Sequence, residues 1–169
     1  MSAEGLRVRV AKAADVAFVV ALERGIAEAP HWREGEYAAM VDADELDSRV
    51  RRCFFVAEAE GRLLGFAVGK VIGSDEEAVA ELESVAVEAA ARRSGIGKEL
   101  CVAVADWCRA RGAAALELEV RAGSAGAIAL YEGLGFVVAG RRVGYYCEPA
   151  EDALLMRLDL SGAEKPRRE

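Results

Sequence analysis

The sequence predicts a single mixed α/β domain built around one central sheet. Short segments with an apolar residue at every second position alternate with longer segments whose apolar residues recur every three or four positions. Most consecutive strands are joined by short turns, which favours antiparallel pairs. The helix predicted at Gly95–Arg111 instead joins two strands, which favours a right-handed crossover and one parallel pair. A chain of 169 residues suffices for one good core, so we expect a domain over 1–160 and a flexible tail over 161–169.

Periodicity and turn residues predict the elements of the N-terminal half. Leu6–Val10 alternates as a strand should, and Glu60-Gly61-Arg62 marks a hairpin turn. Pro30 is expected to end or redirect the chain. The predicted helices are Ala13–Glu28, Trp32–Val41 and a short turn at Leu46–Arg52, and the hairpin strands are Phe54–Ala59 and Leu63–Ile72.

The C-terminal half repeats the alternation of strand and helix. In the long helix, apolar residues at spacings of three and four are expected to face the sheet: Ile96, Leu100, Ala103, Val104 and Trp107. The other predicted elements are the strands Ala78–Val87, Ala115–Val120, Phe136–Tyr146 and Ala153–Asp159 and the helix Ser124–Leu134.

Composition and charge narrow the classes of function. The net charge of −7 argues against a surface that coats nucleic acid and is compatible with cationic acceptors such as amines or basic peptides. The four cysteines, Cys53, Cys101, Cys108 and Cys147, lack the close spacing of a metal site, and we interpret them as free thiols, with a disulfide as the alternative. We find no signal peptide and no apolar run long enough to span a bilayer, so we expect a cytoplasmic protein that binds neither membrane nor metal.

The stretch from Glu81 to Lys98 predicts an anion site. A strand ending in Val85 and Val87 leads through a loop into a helix, and Gly95 and Gly97 let the backbone approach a ligand closely. The first N–H groups of a helix lack internal partners and lie at the positive end of its dipole, which suits a pyrophosphate. The alternative is a glycine-containing loop with solvated arginines. A P-loop is excluded because it would need Gly at position 92 and Ser or Thr at position 99, where the chain has Arg and Glu.

Two motifs in order resemble those of the GNAT family of N-acetyltransferases. Arg92-x-x-Gly95-x-Gly97 resembles the family's motif A, and the run from Ala127 through Tyr131-Glu-Gly-Leu-Gly-Phe136 resembles motif B. The resemblance covers most of Leu6 to Leu160. It implies a GNAT-type domain, with a mostly antiparallel sheet of about seven strands, flanking helices and a V-shaped splay between two parallel central strands. It also implies an acetyl-CoA-dependent N-acetyltransferase.

The resemblance assigns the cofactor contacts. The pantetheine arm is expected along Val85, Ala86 and Val87, with one of their N–H groups facing the thioester oxygen. Ser124 stands where the most similar subfamily has Asn, so it is expected either to contact the cofactor or to cap the helix that starts there. The contacts expected for the pyrophosphate are Arg92, Arg93, Ser94, Gly95, Ile96, Gly97 and Lys98.

Glu119 and Tyr131 are the predicted catalytic residues. The alternation of Leu116-Glu-Leu-Glu-Val120 puts Glu117 and Glu119 on one strand face, where two carboxylates are costly unless that face is wet or functional. Leu118-Glu119-Val120-Arg121 followed by Tyr131 resembles the bacterial ribosomal-protein-alanine acetyltransferases, which implies that Glu119 deprotonates the acceptor and Tyr131 protonates coenzyme A. The structural alternatives are a solvated sheet edge and a core tyrosine. Since no cysteine lies in either motif, we expect direct transfer in a ternary complex.

The acceptor side is predicted from aromatic residues. Trp32 follows Pro30 and His31 where the subfamily has a Pro-Trp element beside the acceptor cleft, and core packing is the alternative. Tyr145 and Tyr146 should point to opposite sheet faces, so at most one lines the cleft, and we expect Tyr146. The predicted acceptor is a protein N-terminus. The alternatives are a small amine such as an amino acid, polyamine or aminoglycoside, or a non-catalytic module that binds coenzyme A. We expect no nucleic-acid partner and either a monomer or a homodimer.

Overall fold

A computed structural model describes residues 5–26, 31–42, 49–73 and 78–162. Its seven strands are β1 Arg7–Val10, β2 Val50–Ala59, β3 Arg62–Ile72, β4 Val79–Val87, β5 Ala115–Arg121, β6 Val137–Cys147 and β7 Ala150–Asp159. They form one sheet in the order β1-β2-β3-β4-β5-β7-β6, in which only β4 and β5 pair in parallel within the described residues. The predicted fold class is therefore confirmed.

Four α-helices of the described residues flank the sheet. They are α1 Val16–Arg24, α2 Glu34–Val41, α3 Ile96–Ala110 and α4 Ala125–Gly133, with 3-10 turns at Ala13–Asp15 and Ala89–Ala91. The helix predicted to run to Glu28 ends at Arg24, before Gly25, and the expectation for Pro30 lies outside the described residues.

One helix prediction is wrong over the part of it that the structure describes. The expected turn at Leu46–Arg52 begins outside the described residues, but Val50, Arg51 and Arg52 belong to β2. Val50 lies opposite Ile72, so pairing with the full length of β3 extends β2 at its start. Cross-strand pairing has here overridden local preference.

Two hydrophobic cores cover the two faces of the sheet. The α3-side core packs α3 and α4 against one face, and its centre includes Leu100, Val104 and Leu116. The α1-side core packs α1 and α2 against the other face around Val19, Tyr37, Phe54 and Phe66. The buried stripe of α3 differs from prediction, because Ala103 and Trp107 are only half-buried and Cys101, Ala105 and Cys108 are buried instead.

A bulge in β4 opens the sheet beside β5. Gly69 of β3 lies opposite Leu82 and Val68 lies opposite Ser84, so Glu83 is an extra residue in β4. β4 pairs with β5 only at Ala80–Leu116 and Glu81–Glu117, immediately before this bulge. A bulge bends its strand and increases the local twist, so the two parallel strands separate from this point on. The splay implied by the family resemblance therefore has a local physical cause.

Candidate active site

A cleft of about 250 Å³ lies where β4 and β5 separate. It is lined by both strands, by α4, by the end of β6 and by one residue after α1. The lining residues are Ile26, Leu82, Glu83, Ser84, Val85, Leu118, Glu119, Val120, Arg121, Ser124, Ala127, Tyr131 and Tyr146. Because the cleft passes between two strands of the sheet, groups from both faces of the sheet reach it.

The turn before α3 presents free main-chain donors. In the described part of the chain, none of the N–H groups of residues 93–98 donates to a main-chain carbonyl. Gly95 is the N-cap residue of α3 with a φ of 85°, a left-handed conformation that suits glycine. The side chains of Arg92, Arg93 and Lys98 are exposed around these donors, and the Ile96 side chain is buried in the core, so Ile96 can contribute only its N–H. The arrangement is that of an anion site.

The free edge of β4 adds two further donors to the cleft. Glu88 N–H donates to Leu64 O of β3 at 2.8 Å. Because antiparallel strands alternate the direction of their main-chain groups, Ala86 also faces β3, where it lies opposite Phe66. Val85 and Val87 then direct their main-chain groups towards the space that β5 has left. The Val87 carbonyl accepts from Arg92 Nε at 3.2 Å, so Val85 offers both of its main-chain groups to a linear ligand and Val87 offers its N–H.

Tyr131 lies at the end of α4 that is packed into the sheet. Its side chain is 8% exposed, belongs to the α3-side core and contacts Phe136 with 5.7 Å between the ring centroids. No group in the described part of the chain hydrogen-bonds to its hydroxyl, although the residue lines the cleft. Burial, with a smaller effect of Cys101, raises the pKa of Tyr131 above its ordinary value, so the phenol stays protonated. It is both a core residue and a possible proton donor.

Glu119 reaches the cleft from the opposite face of the sheet. Leu118 and Val120 are buried in the α3-side core, so strand alternation turns Glu119 to the other side, as predicted. Its carboxylate forms an ion pair with Arg142 of β6 at 3.2 Å. Glu117 on the same face pairs with Arg157 at 3.2 Å and does not line the cleft, so the two carboxylates of this strand have different surroundings.

Tyr145 and Tyr146 do not point to opposite faces, and that prediction is wrong. Their rings are in edge contact with 5.1 Å between centroids, because β6 is bulged between Arg142 and Tyr146. Tyr146 lines the cleft, and the Arg121 guanidinium lies 4.1 Å above its ring. Interaction with the Glu119 carboxylate raises the pKa of Tyr145, and burial together with the charge of Glu119 raises the pKa of Tyr146. Both tyrosines therefore lie near the predicted base.

Trp32 lies in a separate pocket of about 300 Å³ with Met40, Val50 and Arg52, and Arg52 connects this pocket to the cleft by its ion pair with Glu83 at 2.9 Å. The Trp32 and Tyr37 rings are in edge contact with 5.6 Å between centroids, and the main-chain N–H of Trp32 donates to the carboxylate of Glu23 at 3.2 Å. Glu23 is buried in α1, which its charge did not suggest. The structure therefore brings Glu119, Tyr131 and Tyr146 to one cleft and places Trp32 in a separate pocket.

Ser124 lines the cleft at the N-cap position of α4, and its side chain forms no capping hydrogen bond. Several residues at or near the cleft were not predicted as site residues, among them Ser84, Arg121, Arg142 and Asp152. The sequence did contain an indication of the bulge next to Ser84. The apolar residues of β4 have even numbers at Ala80 and Leu82 and odd numbers at Val85 and Val87, and this change in the alternation is typical of a bulge.

The described residues contain no cluster of three or more side chains that could hold a metal ion, and no helix among them is both long and apolar enough to cross a membrane. All four cysteines are free thiols, three of them buried and Cys147 exposed.

Comparison with known proteins gives one family. The model of the acetyltransferase (GNAT) family matches residues 19–136. The [ribosomal protein bS18]-alanine N-acetyltransferase of Escherichia coli K12 is 41% identical over 109 residues, which are 63% of this chain and 71% of that protein.

Solved structures agree with the sequence match. The crystal structure of the ribosomal-protein-S18-alanine N-acetyltransferase from Escherichia coli gives a TM-score of 0.73 at 31% identity, over 97% of this chain and 99% of that one. The protein yncA from Salmonella typhimurium, solved with its cofactor acetyl-CoA, gives a TM-score of 0.74 at 22% identity, over 95% and 97% of the two chains.

Proposed function

Since this chain belongs to the acetyltransferase (GNAT) family, we propose that it moves an acetyl group from acetyl-CoA to the N-terminal α-amine of a protein. In this proposal the transfer is direct, in a ternary complex, with Glu119 as the base and Tyr131 as the acid. The observation that carries it is the position of these two side chains, which line one cleft from opposite faces of a splayed sheet.

The donor is proposed to enter along β4 from the α3 side. Its pyrophosphate would accept hydrogen bonds from the N–H groups of residues 93–98, with Arg92, Arg93 and Lys98 supplying positive charge nearby. Its linear arm would pair with the main-chain groups of Val85 and the N–H of Val87, as an added strand pairs with a free sheet edge. The Ser124 hydroxyl, which caps no helix, is available to the same ligand.

The acceptor amine is proposed to enter from the α1 side, where Glu119 lies. An α-amine has a pKa near 8 and is mostly protonated at neutral pH, so it must lose a proton before it can attack. Glu119 takes this proton, directly or through one water, and the amine nitrogen then forms a bond to the thioester carbon. The carbonyl π electrons move to the oxygen, which the N–H of Val85 or Val87 stabilises as an oxyanion.

Collapse of this intermediate breaks the carbon–sulfur bond. The sulfur leaves as a thiolate, and the Tyr131 phenol donates a proton to it. The phenol is suited to this step because burial keeps it protonated and no described group holds its hydroxyl. The nitrogen loses its second proton to solvent as the amide forms. Glu119 then releases its proton to solvent and Tyr131 takes one back, so each turnover releases one proton overall.

The similarity to an alanine N-acetyltransferase of a ribosomal protein supports a protein N-terminus as the acceptor. The rest of the acceptor would lie over Tyr146, which lines the cleft, and towards the separate pocket of Trp32, which Arg52 and Glu83 connect to the cleft. A small amine such as a polyamine needs the same two catalytic groups, so the acceptor must be decided by experiment.

The test is an acetyl-CoA consumption assay with wild-type protein. Substrates are peptides with a free N-terminal alanine, the same peptides with a blocked N-terminus, free amino acids, polyamines and aminoglycosides. We expect kcat/KM to be highest for the free peptides and zero for the blocked ones. A higher kcat/KM for a small amine would replace the proposed acceptor, and no binding of acetyl-CoA in calorimetry at millimolar ligand would refute the proposal.

A further inference from the structure

β6 contains a bulge of three residues beside the cleft. Arg142 lies opposite Ala153, and the next pair in the register is Tyr146 opposite Glu151. Three residues of β6, Val143 to Tyr145, therefore lie opposite Asp152 of β7 alone. The side chain of Val143 is 85% exposed, so packing of this residue contributes little to the shape of the bulge.

Asp152 holds the bulge by its two carboxylate oxygens. The Gly144 N–H donates to Oδ1 at 2.8 Å, and Arg141 Nε donates to Oδ2 at 2.6 Å. Gly144 has a φ of 63°, so the chain adopts a left-handed conformation at the residue whose N–H donates to the Asp152 carboxylate. The Asp152 side chain thus connects Arg141, two positions before the first bulged residue, to Gly144 in the middle of the bulge.

The bulge changes which side chains of β6 reach Glu119. Arg142 precedes it and forms the ion pair with Glu119 at 3.2 Å, and its guanidinium lies 5.3 Å from the ring centroid of Tyr145. Tyr145 is in the bulge, interacts with the same carboxylate and contacts the ring of Tyr146. In a regular strand, neighbouring side chains alternate between faces, and Tyr145 and Tyr146 would be separated by the sheet.

We propose that Asp152 is a positioning residue which, by fixing this bulge, holds Arg142, Tyr145 and Tyr146 around Glu119 as a preformed wall for the acceptor. The inference rests on the proposed function, because it assumes that Glu119 marks the acceptor side. Asp152 lies one position beyond Glu151 on β7 and does not line the cleft, so its effect is exerted through the main chain of β6.

The first test separates acceptor binding from donor binding. Asp152→Ala removes both contacts of the bulge, and we expect the KM of the acceptor peptide to rise by about three- to tenfold, as for the loss of one or two exposed charge-assisted hydrogen bonds. Asp152→Asn keeps an oxygen that can accept from Gly144 and should have a smaller effect. The Kd of acetyl-CoA should not change, since the donor side of the cleft is untouched.

Asp106→Ala is the matched control. Asp106 is also an exposed aspartate that pairs with an arginine at 2.6 Å, but it lies on α3 and does not line the cleft. It should leave the acceptor KM unchanged. An unchanged KM in Asp152→Ala, or an equal loss of acetyl-CoA affinity, would overturn the proposal.

The second test needs no acceptor. The difference in ultraviolet absorbance between each protein and its Tyr145→Phe variant reports the ionisation of Tyr145. In the wild type, the Glu119 carboxylate raises the pKa of Tyr145. Asp152→Ala should let the phenol move away from this carboxylate, and Glu119→Gln removes the carboxylate itself. We therefore expect both variants to lower the pKa of Tyr145 towards the ordinary range of tyrosine. If the wild type acetylates no amine, the proposed function fails, but this titration still decides whether Asp152 positions Tyr145. An unchanged titration would mean that it does not.

Discussion

Replacing Tyr131 with phenylalanine tests the proposed mechanism at a single atom. The ring is packed in the α3-side core against Phe136, so phenylalanine fills the same space and creates no cavity. The hydroxyl has no hydrogen-bond partner in the described part of the chain, so its removal leaves no buried group unsatisfied. Folding and acetyl-CoA affinity should therefore be preserved, and only the donated proton is lost.

The expected effect on the rate is large. A positioned general acid contributes roughly 10²- to 10⁴-fold, which is about 3 to 5 kcal/mol of activation free energy. Because burial raises the pKa of Tyr131, the phenol is in its acid form at every pH below its ordinary value near 10. The deficit in kcat should for this reason be constant between pH 6 and pH 9.

The assay measures kcat at saturating acceptor, the Kd of acetyl-CoA by calorimetry, and urea unfolding. Tyr37→Phe is the matched control, since it makes the same change in the α1-side core, where the Tyr37 hydroxyl lies near the Glu23 carboxylate. It should leave kcat unchanged, because Tyr37 does not line the cleft. If Tyr131→Phe retains more than about a tenth of the wild-type kcat, Tyr131 is not the acid.

Three further substitutions test the base, the donor site and the packing of the sheet. Glu119→Gln should lower kcat/KM at pH 7 by roughly a hundredfold and by less at pH 9, where more of the α-amine is already neutral, and a deficit independent of pH would remove Glu119 from proton transfer. Gly97→Glu should abolish acetyl-CoA binding in calorimetry, because it adds a negative charge at the first turn of α3, where a Cβ would lie 3.2 Å from Leu130. Gly69→Ala should lower the urea-unfolding free energy by about 1 to 3 kcal/mol, because the new Cβ would lie 2.4 Å from Val104 Cγ1, and an unchanged midpoint would show that α3 moves away freely.

Much of the fold was predictable because local patterns and tertiary contacts agree over most of the chain. The hairpin at Glu60-Gly61 is an example, since both residues adopt the left-handed conformation that its turn requires. The parallel pair followed from a helix that joins two strands. The prediction failed at Val50–Arg52, where pairing with β3 decides the conformation, and pairing between distant segments leaves no local signature.

The cleft itself was less predictable because it depends on two departures from strand regularity. Sequence alternation assigned Glu119 to the correct face, since β5 is regular from Ala115 to Arg121. Sequence alternation assigned Tyr145 to the wrong face because β6 is bulged there. A bulge depends on how many residues of the neighbouring strand, here β7, lie opposite, and the sequence of β6 alone does not give that number. A glycine within the strand, Gly144, was the available indication.

The two bulges have complementary effects on the same cleft. The bulge at Glu83 separates β4 from β5 and so frees the main-chain groups of Val85 for a ligand on one side. The bulge around Gly144 turns side chains of β6 towards Glu119 on the other side. A regular seven-stranded sheet would pair every main-chain group of its central strands and would have no opening through which two substrates could meet. Local irregularity in two strands therefore gives the sheet a cleft that side chains from both of its faces line, as the proposed transfer between two substrates requires.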